Sequence, residues 1–458
     1  MTGNDETAAL ATALQNRLGY LFGGPVVIQD FEPVTTGASR DIWSLTAQLR
    51  DGTTKALILR RDPPAAPRPE QMAREASVLK AAMVAGVPVP GVVDHGDGSN
   101  GVGSPYVVMD RLEGQTIPRK ILRDAEWASA RDGLAKSLGG ILARIHQIPA
   151  DSVDRIEDVD AVSALEDEYR ASGAPSPAFE IAWRWLHENR PARGKRTVVH
   201  GDFRNGNLII DRDGVAGVLD WELVHVGEAL EDLGWVCVKA WRFGSAEPVG
   251  GFGSREELLD GYAEVAGERP EPTTLLWWEV YGTVRWGVIC RRQAARHLSG
   301  SEPSLELAMI GRRFSENEHD VMLALGLTCP HEVVDPIKAT VIEPDPLFHG
   351  PTAGQLLQVI SDYLAGRSQS TGNSPAYLDR VANNAISIIR RELLVGDGLR
   401  RRHADLLGAI GLNSESDLAL AIRDGSIDPH DDAVMEAVRC GVDARLQIDN
   451  PRYLSLPG

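Results

Sequence analysis

The feature that most constrains this chain is a dense polar segment between two apolar runs. The segment reads VVHGDFRNGNLIID and occupies residues 198–211. Histidine, aspartate, arginine and two asparagines fall within eight of its residues. Short apolar runs bounded by turn residues are typical of buried strands. Polar side chains packed between such runs predict a loop that a rigid scaffold holds in place, as functional loops often are.

A second polar position follows this loop at a fixed distance. An Asp-Arg-Asp-Gly turn at residues 211–214 joins the loop to the apolar run GVAGVLD, which predicts a β-hairpin. Asp220 closes the second strand, thirteen residues after Asn207. The hairpin is therefore expected to bring Asn207 and Asp220 close together.

These offsets supply the groups that phosphoryl transfer from a nucleotide requires. A carboxylate orients and deprotonates the acceptor hydroxyl, a cation neutralises the migrating phosphoryl group, and oxygen ligands hold Mg²⁺ on the phosphates. Asp202 offers the carboxylate, and Arg204 offers the cation two residues later. Asn207 and Asp220 offer the metal ligands.

One known family shares this pattern. The loop HGDFRNGN and the later LDWE resemble the catalytic motifs of aminoglycoside phosphotransferases and choline kinases, in the protein-kinase-like superfamily. Gly201, Arg204 and Trp221 stand where the protein-kinase signature has Arg, Lys and Phe. The resemblance covers roughly residues 23–330. It implies an α+β, bilobal kinase-like fold with a small antiparallel sheet lobe and a mainly helical lobe.

The resemblance also implies a role for each loop residue and names the cofactors. Asp202 would be the catalytic base, and Arg204 would neutralise the transferred phosphoryl group. Asn207 and Asp220 would bind Mg²⁺, and ATP would be the phosphoryl donor. His200 is expected to be structural, packed under the metal-binding aspartate.

Two further acids lie downstream of the catalytic loop. Glu222, beside Trp221, is expected to be a solvated loop acid, with a metal-shell or substrate role as the alternative. The segment GEALEDLGW resembles the family's G-D-P-x-x-D-L run, which implies that Asp232 braces the catalytic loop.

Upstream segments supply candidate nucleotide-binding residues. The turn TTGAS matches the family's shortened phosphate loop, which makes Gly37, Ala38 and Ser39 candidates. The strand YVVMD and the residues after it match the hinge between the lobes. Backbone groups of Asp110 and Leu112 would bind the adenine there.

The cation expected on the third strand is an arginine. In the strand KALILRR, side-chain alternation puts Lys55 and Arg60 on opposite faces. The family position falls on Arg60, and the helix glutamate that pairs with it would be Glu75. Lys55 is the rival if the strand register differs by one. The family usually has lysine here, and arginine binds phosphate and carboxylate with a different, forked geometry.

Four regions follow along the chain. An N-terminal nucleotide-binding lobe occupies residues 1–110, and the catalytic lobe occupies 111–330. A proline-rich linker covers 331–351, and an all-α domain covers 352–458. The last region resembles a domain of unknown function that follows such kinase-like domains in bacterial proteins. Its amphipathic helices make homodimerisation through this domain one expectation. One apolar helix face there would comprise Leu356, Leu357, Ile360, Tyr363 and Leu364.

Composition narrows the class of partner and the compartment. The net charge of −18 and the pI near 5.1 argue against binding to nucleic acid or to an anionic membrane surface. The four cysteines have no metal-binding or redox spacing. No basic leader or apolar run of about 20 residues is present, so neither a secretory signal nor a membrane span is expected. The composition thus predicts a cytoplasmic protein. A small-molecule partner is what the family resemblance implies.

The acceptor is the least constrained element. Trp183, Trp185, Trp277, Trp278 and Trp286 lie in helical segments and are expected in the core. A group of arginines weakly favours an anionic acceptor: Arg242, Arg285, Arg291 and Arg292. The chain also resembles kinase-like domains associated with acyl-CoA dehydrogenases. That resemblance implies hydroxylated acyl or other carboxylate-linked acceptors.

These observations predict an ATP- and Mg²⁺-dependent kinase that phosphorylates a small-molecule hydroxyl group. The alternative is a nucleotide-binding regulatory pseudokinase without transfer activity, which Arg60 favours and the Asp202–Asn207–Asp220 set disfavours. A protein kinase is less consistent with the sequence, because D-F-G and A-P-E motifs are missing after the catalytic loop.

Overall fold

The computed structural model describes residues 3–34, 40–339, 353–370 and 373–455. The chain divides into two compact units, each made from two stretches of sequence. The first unit comprises Met1–Val159 and Arg193–Pro272, and the second comprises Asp160–Ala192 and Thr273–Gly458. Most of the predicted linker, from residue 340 to 351, lies outside the described residues.

An antiparallel sheet of five strands forms the predicted sheet lobe in the first unit. The strands are β1 (Val27–Pro33), β2 (Asp41–Gln48), β3 (Thr54–Arg61), β4 (Val92–Gly96) and β5 (Tyr106–Asp110). Their spatial order is β1-β2-β3-β5-β4. Helix α1 (Gly3–Leu21) precedes the sheet, and α2 (Pro69–Val84) connects β3 to β4. The Asp-Gly turn predicted between β2 and β3 is confirmed, and Gly52 has the positive φ, +86°, that such turns require.

The core of this lobe lies between α1 and one face of the sheet. Leu14 and Leu18 of α1 are completely buried, in one cluster with Leu57 and Leu59 of β3. Burial of each leucine stabilises the fold by about 2 kcal/mol. Because side chains alternate along a strand, this packing turns Arg60 toward the opposite face of the sheet.

Short helices and two small sheets complete the first unit. The helices are α3 (Pro118–Arg123), α4 (Ala128–Arg131), α5 (Leu134–Ile145), α8 (Leu230–Cys237) and α9 (Arg255–Ala266). Antiparallel pairing joins β6 (Arg196–Val199) to β9 (His225–Glu228) and joins β7 (Leu208–Ile210) to β8 (Val215–Val218). The last pair is the hairpin predicted around the Asp-Arg-Asp-Gly turn, and it is confirmed.

Two glycines allow α5 and α9 to pack backbone against backbone. A Cβ added to Gly139 would lie 2.0 Å from the carbonyl oxygen of Leu258, and one added to Gly261 would lie 1.9 Å from that of Lys136. Neither position has room for a side chain. The contact fixes α5, which leads directly to His146 near the catalytic loop.

We expect Gly139→Ala to lower the urea midpoint of unfolding, by an amount equivalent to about 1–3 kcal/mol, the usual cost of overpacking. Gly140→Ala is the matched control, because its added methyl group would meet its nearest neighbours at 3.5 Å, an ordinary contact. The control should gain up to about 1 kcal/mol of helix propensity. Circular dichroism in urea measures both variants, and equal midpoints would contradict the close contact.

The described part of the second unit is helical. Its helices are α6 (Ala161–Ala171), α7 (Pro177–Glu188), α10 (Pro272–Leu298, whose first residue belongs to the first unit), α11 (Leu305–Arg312), α12 (Phe314–Ala324), α13 (Pro336–Ala339), α14 (Ala353–Ser370), α15 (Asn373–Ala409), α16 (Glu415–Asp424) and α17 (Asp432–Asp449). Short 3₁₀ helices occur elsewhere in the chain, one of them at Trp221–Leu223.

One core unites helices from both sides of the predicted linker. Ala178 of α7 and Met322 of α12 belong to the same buried cluster as Leu418 of α16 and Val438 of α17. Ion pairs support this core, because Glu318 of α12 accepts hydrogen bonds from Arg445 of α17 at 2.6 and 3.0 Å. The C-terminal helices and those of the catalytic segment therefore share one interior.

Helix α14 forms as predicted, but its apolar face is only partly covered. The exposed fractions of Leu356, Ile360 and Tyr363 are 51%, 49% and 63%. None of the described helices combines the length and the apolar character that crossing a membrane requires.

Candidate active site

The carboxylate of Asp202 is the centre of the loop between β6 and β7. It accepts hydrogen bonds from Arg204 Nε at 3.0 Å, Asn207 Nδ2 at 2.7 Å and Trp235 Nε1 at 2.8 Å. The side chain remains 16% exposed. Three donors thus fix the orientation of a carboxylate that solvent still reaches, and the structure brings Asp202, Arg204 and Asn207 together.

Asp232, on α8, braces this loop from beneath. Its two oxygens accept the backbone N–H groups of His200 at 2.8 Å and Gly201 at 2.9 Å, and His146 Nε2 lies 3.2 Å away. Complete burial by itself raises the pKa of Asp232, but the hydrogen bonds from His146 and the backbone of His200, with the other histidine interactions, outweigh it, so the pKa lies below its usual value. The predicted bracing contact is present.

His200 links the loop to the hairpin and has no exposed surface. Its Nδ1 accepts the N–H of Asp202 at 3.1 Å, so Nε2 carries the proton and donates to the carbonyl of Leu219 at 3.1 Å. Its ring also lies 4.5 Å from that of Trp221. Burial lowers the pKa of His200, so the ring stays neutral. These contacts give His200 the structural role that was expected.

Gly201 occupies a position that a side chain could not. Its φ is +81°, and a Cβ would lie 2.5 Å from the carbonyl oxygen of Leu223. The arginine of the protein-kinase signature therefore cannot be accommodated here without moving the backbone.

Asp220 lies beside the loop at the end of β8. Its neighbour Leu219 donates its N–H to the carbonyl of Asn207 at 2.8 Å, so the hairpin brings the two predicted metal ligands together. Asp220 has a left-handed φ of +66°, a conformation that is uncommon for non-glycine residues and that recurs at active sites. Burial raises the pKa of its carboxyl group, Arg60 opposes this shift, and Asp202 adds to it.

Arg60 joins the sheet and α2 to this site. Its Nη1 lies 2.5 Å from Glu75 Oε1, and its Nη2 lies 3.7 Å from Asp220 Oδ1. Lys55 is exposed on the other face of β3, 5.9 Å from the ring of Phe22. The strand register therefore presents Arg60, and not Lys55, to the site.

The structure describes only some of the remaining nucleotide-binding candidates. Gly37, Ala38 and Ser39 lie outside the described residues. Asp110 ends β5 and donates its N–H to the carbonyl of Gly91 at 2.9 Å, so this N–H already has a partner within the protein. Leu112 lies against β8, because a Cβ on Gly217 would come within 2.6 Å of its Cδ1.

Comparison with known protein families assigns this site to a family. The sequence profile of the phosphotransferase enzyme family matches residues 30–270, more than half of the chain. The chain belongs to this family. A second profile, a domain of unknown function called DUF6285, matches residues 369–453 of the phosphotransferase. The resemblance predicted from the catalytic motifs is confirmed, and so is the predicted fold class.

Individual relatives match parts of this phosphotransferase. Mouse acyl-CoA dehydrogenase family member 10 is 31% identical over 253 residues, which are 53% of this chain and 23% of the mouse protein. Aminoglycoside 3'-phosphotransferase from Escherichia coli is 27% identical over 128 residues, 25% of this chain and 46% of that enzyme. The chain thus spans less than a quarter of the mouse relative's length and less than half of the bacterial enzyme's.

A solved structure shares the fold. The crystal structure of a candidate aminoglycoside phosphotransferase from Ralstonia eutropha superposes with a TM-score of 0.54 at 19% identity. The match covers 69% of this phosphotransferase and 98% of that chain. At this level of identity the similarity shows the fold alone.

The residues of the phosphotransferase fit a bound Mg²⁺. Asn207 uses Nδ2 to bond the backbone and side chain of Asp202, so its carbonyl oxygen Oδ1 is left as a ligand. Together with the Asp220 carboxylate this is a hard oxygen donor set. The described residues contain no group of three or more His, Cys, Asp or Glu side chains suited to a metal, so nucleotide phosphates would complete the coordination.

Glu222 is less exposed to solvent than the sequence predicted. It is partly buried, and burial together with the neighbouring Asp220 raises the pKa of its carboxyl group, while Arg40 and Arg60 oppose the shift. It is therefore not the solvated acid that was expected, because the 3₁₀ helix after Asp220 turns it toward these arginines.

Three functional neighbours were not predicted. Trp235 follows Asp232 by one helical turn, so the 3.6-residue period of α8 could have indicated that both face the loop. Trp241 lies 4.6 Å beneath the guanidinium of Arg204. Arg40, buried beside Glu75, had one local signal, because it directly follows the TTGAS turn.

The acceptor candidates mostly have structural roles. Trp183, Trp277 and Trp278 are buried, as expected. The arginines that favoured an anionic acceptor have protein partners: Arg242 donates to the carbonyl of Cys237, and Arg291 lies 3.8 Å over the ring of Phe314. These contacts weaken the case for an anionic acceptor.

Proposed function

We propose that this phosphotransferase is an ATP- and Mg²⁺-dependent kinase that phosphorylates the hydroxyl group of a small molecule. The observation that carries the proposal is the carboxylate of Asp202. It is held by three donors, partly open to solvent, and adjacent to an asparagine whose amide oxygen is free to bind a metal.

Asp202 acts as the base in this proposal. The acceptor hydroxyl donates a hydrogen bond to its carboxylate, which takes the proton as the oxygen attacks the γ-phosphorus. A new O–P bond forms, the bond from the γ-phosphorus to the bridging oxygen breaks, and ADP leaves. The hydrogen bonds from Asn207 and Trp235 hold the carboxylate in place during this exchange.

Cationic residues neutralise the phosphates. Arg204, fixed between Asp202 and the face of Trp241, would contact the transferred phosphoryl group. Arg60 would contact the non-transferred phosphates from the side of β3, with Glu75 as its anchor. Asn207 and Asp220 would hold Mg²⁺, which supplies charge neutralisation across the phosphate oxygens.

The alternative is a nucleotide-binding pseudokinase, and Arg60 is the observation that favours it. Arginine in place of lysine changes how phosphates are held, and a pocket of that kind could bind nucleotide without transferring it. The two proposals differ in one observable, which is the release of ADP in the presence of an acceptor.

Calorimetric titration of ATP with Mg²⁺, repeated with excess EDTA, tests the nucleotide site. A coupled assay for ADP release then screens hydroxylated acceptors. Hydroxylated acyl groups, free and linked to CoA, belong in this screen because of the relative named as an acyl-CoA dehydrogenase family member. Metal-dependent binding with acceptor-dependent ADP release supports the kinase. Binding without release from any acceptor favours the pseudokinase, and no binding refutes both.

A further inference from the structure

A buried arginine, Arg40, and a partly buried one, Arg60, share the single carboxylate of Glu75. Arg60 Nη1 lies 2.5 Å from Oε1, and Arg40 Nη1 contacts the other oxygen, Oε2. Arg40 is 4% exposed, and Glu75 is 1% exposed. The family resemblance implied a lysine–glutamate pair as the usual arrangement here. This chain has an arginine–glutamate–arginine group instead.

Because Arg40 also contacts Glu75, Arg60 can form fewer hydrogen bonds with the Glu75 carboxylate. An arginine that faces a carboxylate alone tends to pair through two parallel N–H···O bonds. Here Arg40 occupies Oε2, and Arg60 contacts Glu75 through Nη1. The Nη2 of Arg60 is directed toward Asp220 Oδ1, 3.7 Å away, and its Nε has no hydrogen-bond partner among the described residues.

The position of Arg40 is set by the protein itself. Its Nε lies 3.3 Å from Oδ1 of Asp62, an ion pair outside hydrogen-bond geometry, and Asp62 is a carboxylate with no exposed surface that directly follows β3. Asp62 is fixed in turn by the backbone N–H of Arg68, at 2.6 Å. Arg40 therefore connects the start of β2, the end of β3 and helix α2 before any ligand arrives.

We propose that Arg40 is a positioning residue for nucleotide binding. By holding Oε2 of Glu75, it prevents Arg60 from closing a two-bond pair with that carboxylate. An N–H edge of Arg60 is then free to bind a nucleotide phosphate. This inference rests on the proposed function, since it takes Arg60 as a phosphate ligand. It also explains how arginine can serve where the family resemblance implied a lysine, because an ammonium has no fork that must be kept open.

A double-mutant cycle between positions 40 and 60 tests this role. Arg40→Met should weaken the binding of ATP with Mg²⁺ by about 10- to 100-fold, because one charge-assisted hydrogen bond to phosphate is lost. In that background Arg60→Lys should restore part of the affinity, since lysine cannot pair with Glu75 through two bonds. In the wild-type background the same Arg60→Lys change should weaken binding. Calorimetry gives the dissociation constant for ATP of the wild type, the two single variants and the double variant. The inference requires that Arg60→Lys weakens ATP binding in the wild type and strengthens it in the Arg40→Met background.

Arg61→Met is the matched control. Arg61, the last residue of β3, is a buried arginine like Arg40, but it contacts Asp41 and the ring of Trp43 instead of Glu75. Its effect on ATP binding should be the same whether residue 60 is arginine or lysine. Thermal denaturation of each variant checks folding. If Arg40→Met does not fold, the same double-mutant cycle can be measured with Arg40→Lys. This change keeps the charge but removes the guanidinium from Oε2.

Two outcomes overturn the inference in different ways. Additive effects at positions 40 and 60, in a protein that binds ATP, would mean that Arg40 only stabilises the fold, and the proposed function would stand. A wild-type protein that binds no ATP would overturn the proposed function and this inference together.

Discussion

Asp202→Asn is expected to reduce turnover by about 100- to 10,000-fold, the usual contribution of a positioned general base. The affinity for ATP should change by less than about threefold, because Asp202 acts on the acceptor and the nucleotide is held by other groups. Asparagine keeps the shape of the side chain but cannot take the proton. Steady-state ADP release at saturating acceptor and calorimetric titration of ATP measure the two quantities.

Asp213→Asn is the control for this charge change. Asp213 is an exposed residue of the turn between β7 and β8, where asparagine is well tolerated. It should leave both turnover and ATP affinity as in the wild type. A variant at position 202 that keeps more than about a tenth of the wild-type turnover would refute the role of Asp202 as base, given the minimum contribution above.

Asp220→Asn should abolish most of the metal-dependent part of ATP binding. We expect the affinity measured with Mg²⁺ to fall to about the level measured with EDTA, because a neutral amide is a poorer ligand for a hard cation. Asparagine tolerates the left-handed φ of this position, so the hairpin should be retained. The rise in melting temperature expected of the wild type with Mg²⁺ and ATP should fall, in the variant, to the rise that ATP gives in the presence of EDTA.

The stability of the metal-free variant separates loss of a ligand from loss of fold. Burial raises the pKa of Asp220, so its ionised form at neutral pH destabilises the metal-free fold, and a neutral side chain removes that cost. The free variant should therefore melt no lower than the wild type. Glu222→Gln tests whether the neighbouring acid also binds the metal. If ATP binding by this variant still depends on Mg²⁺, Asp220 is the ligand. If the dependence on Mg²⁺ is lost, Glu222 is a further ligand.

The catalytic loop shows which contacts of the site can be predicted from local sequence. Asp202, Arg204 and Asn207 were predicted to act together, and the structure joins them by direct hydrogen bonds. Such a prediction is possible because a short loop between paired strands limits where its side chains can go. The same reasoning placed Arg60 and Lys55 on opposite faces of β3, since alternation along a strand is a property of the backbone.

The parts that sequence reasoning missed involve distant segments. Arg40 contacts Glu75 across 35 residues, and Trp235 contacts Asp202 across 33. The period of α8 could indicate only that Trp235 shares a face with Asp232, and the distances to Asp202 and Glu75 depend on how the sheet and helices pack. Glu222 was expected in solvent for the same reason, since its partial burial comes from a 3₁₀ turn that places it near Arg40 and Arg60.

The sequence by itself determined the family and the fold class, and it predicted which loop residues lie together, because strand alternation, turns and short offsets are encoded locally. Only the tertiary structure decided which side chains complete the site. It paired two arginines with one glutamate, gave Asp202 a tryptophan donor, and turned Arg242 and Arg291 toward protein partners. Each of these depends on the packing of residues far apart in the chain, where burial and the need to pair buried charges set the geometry.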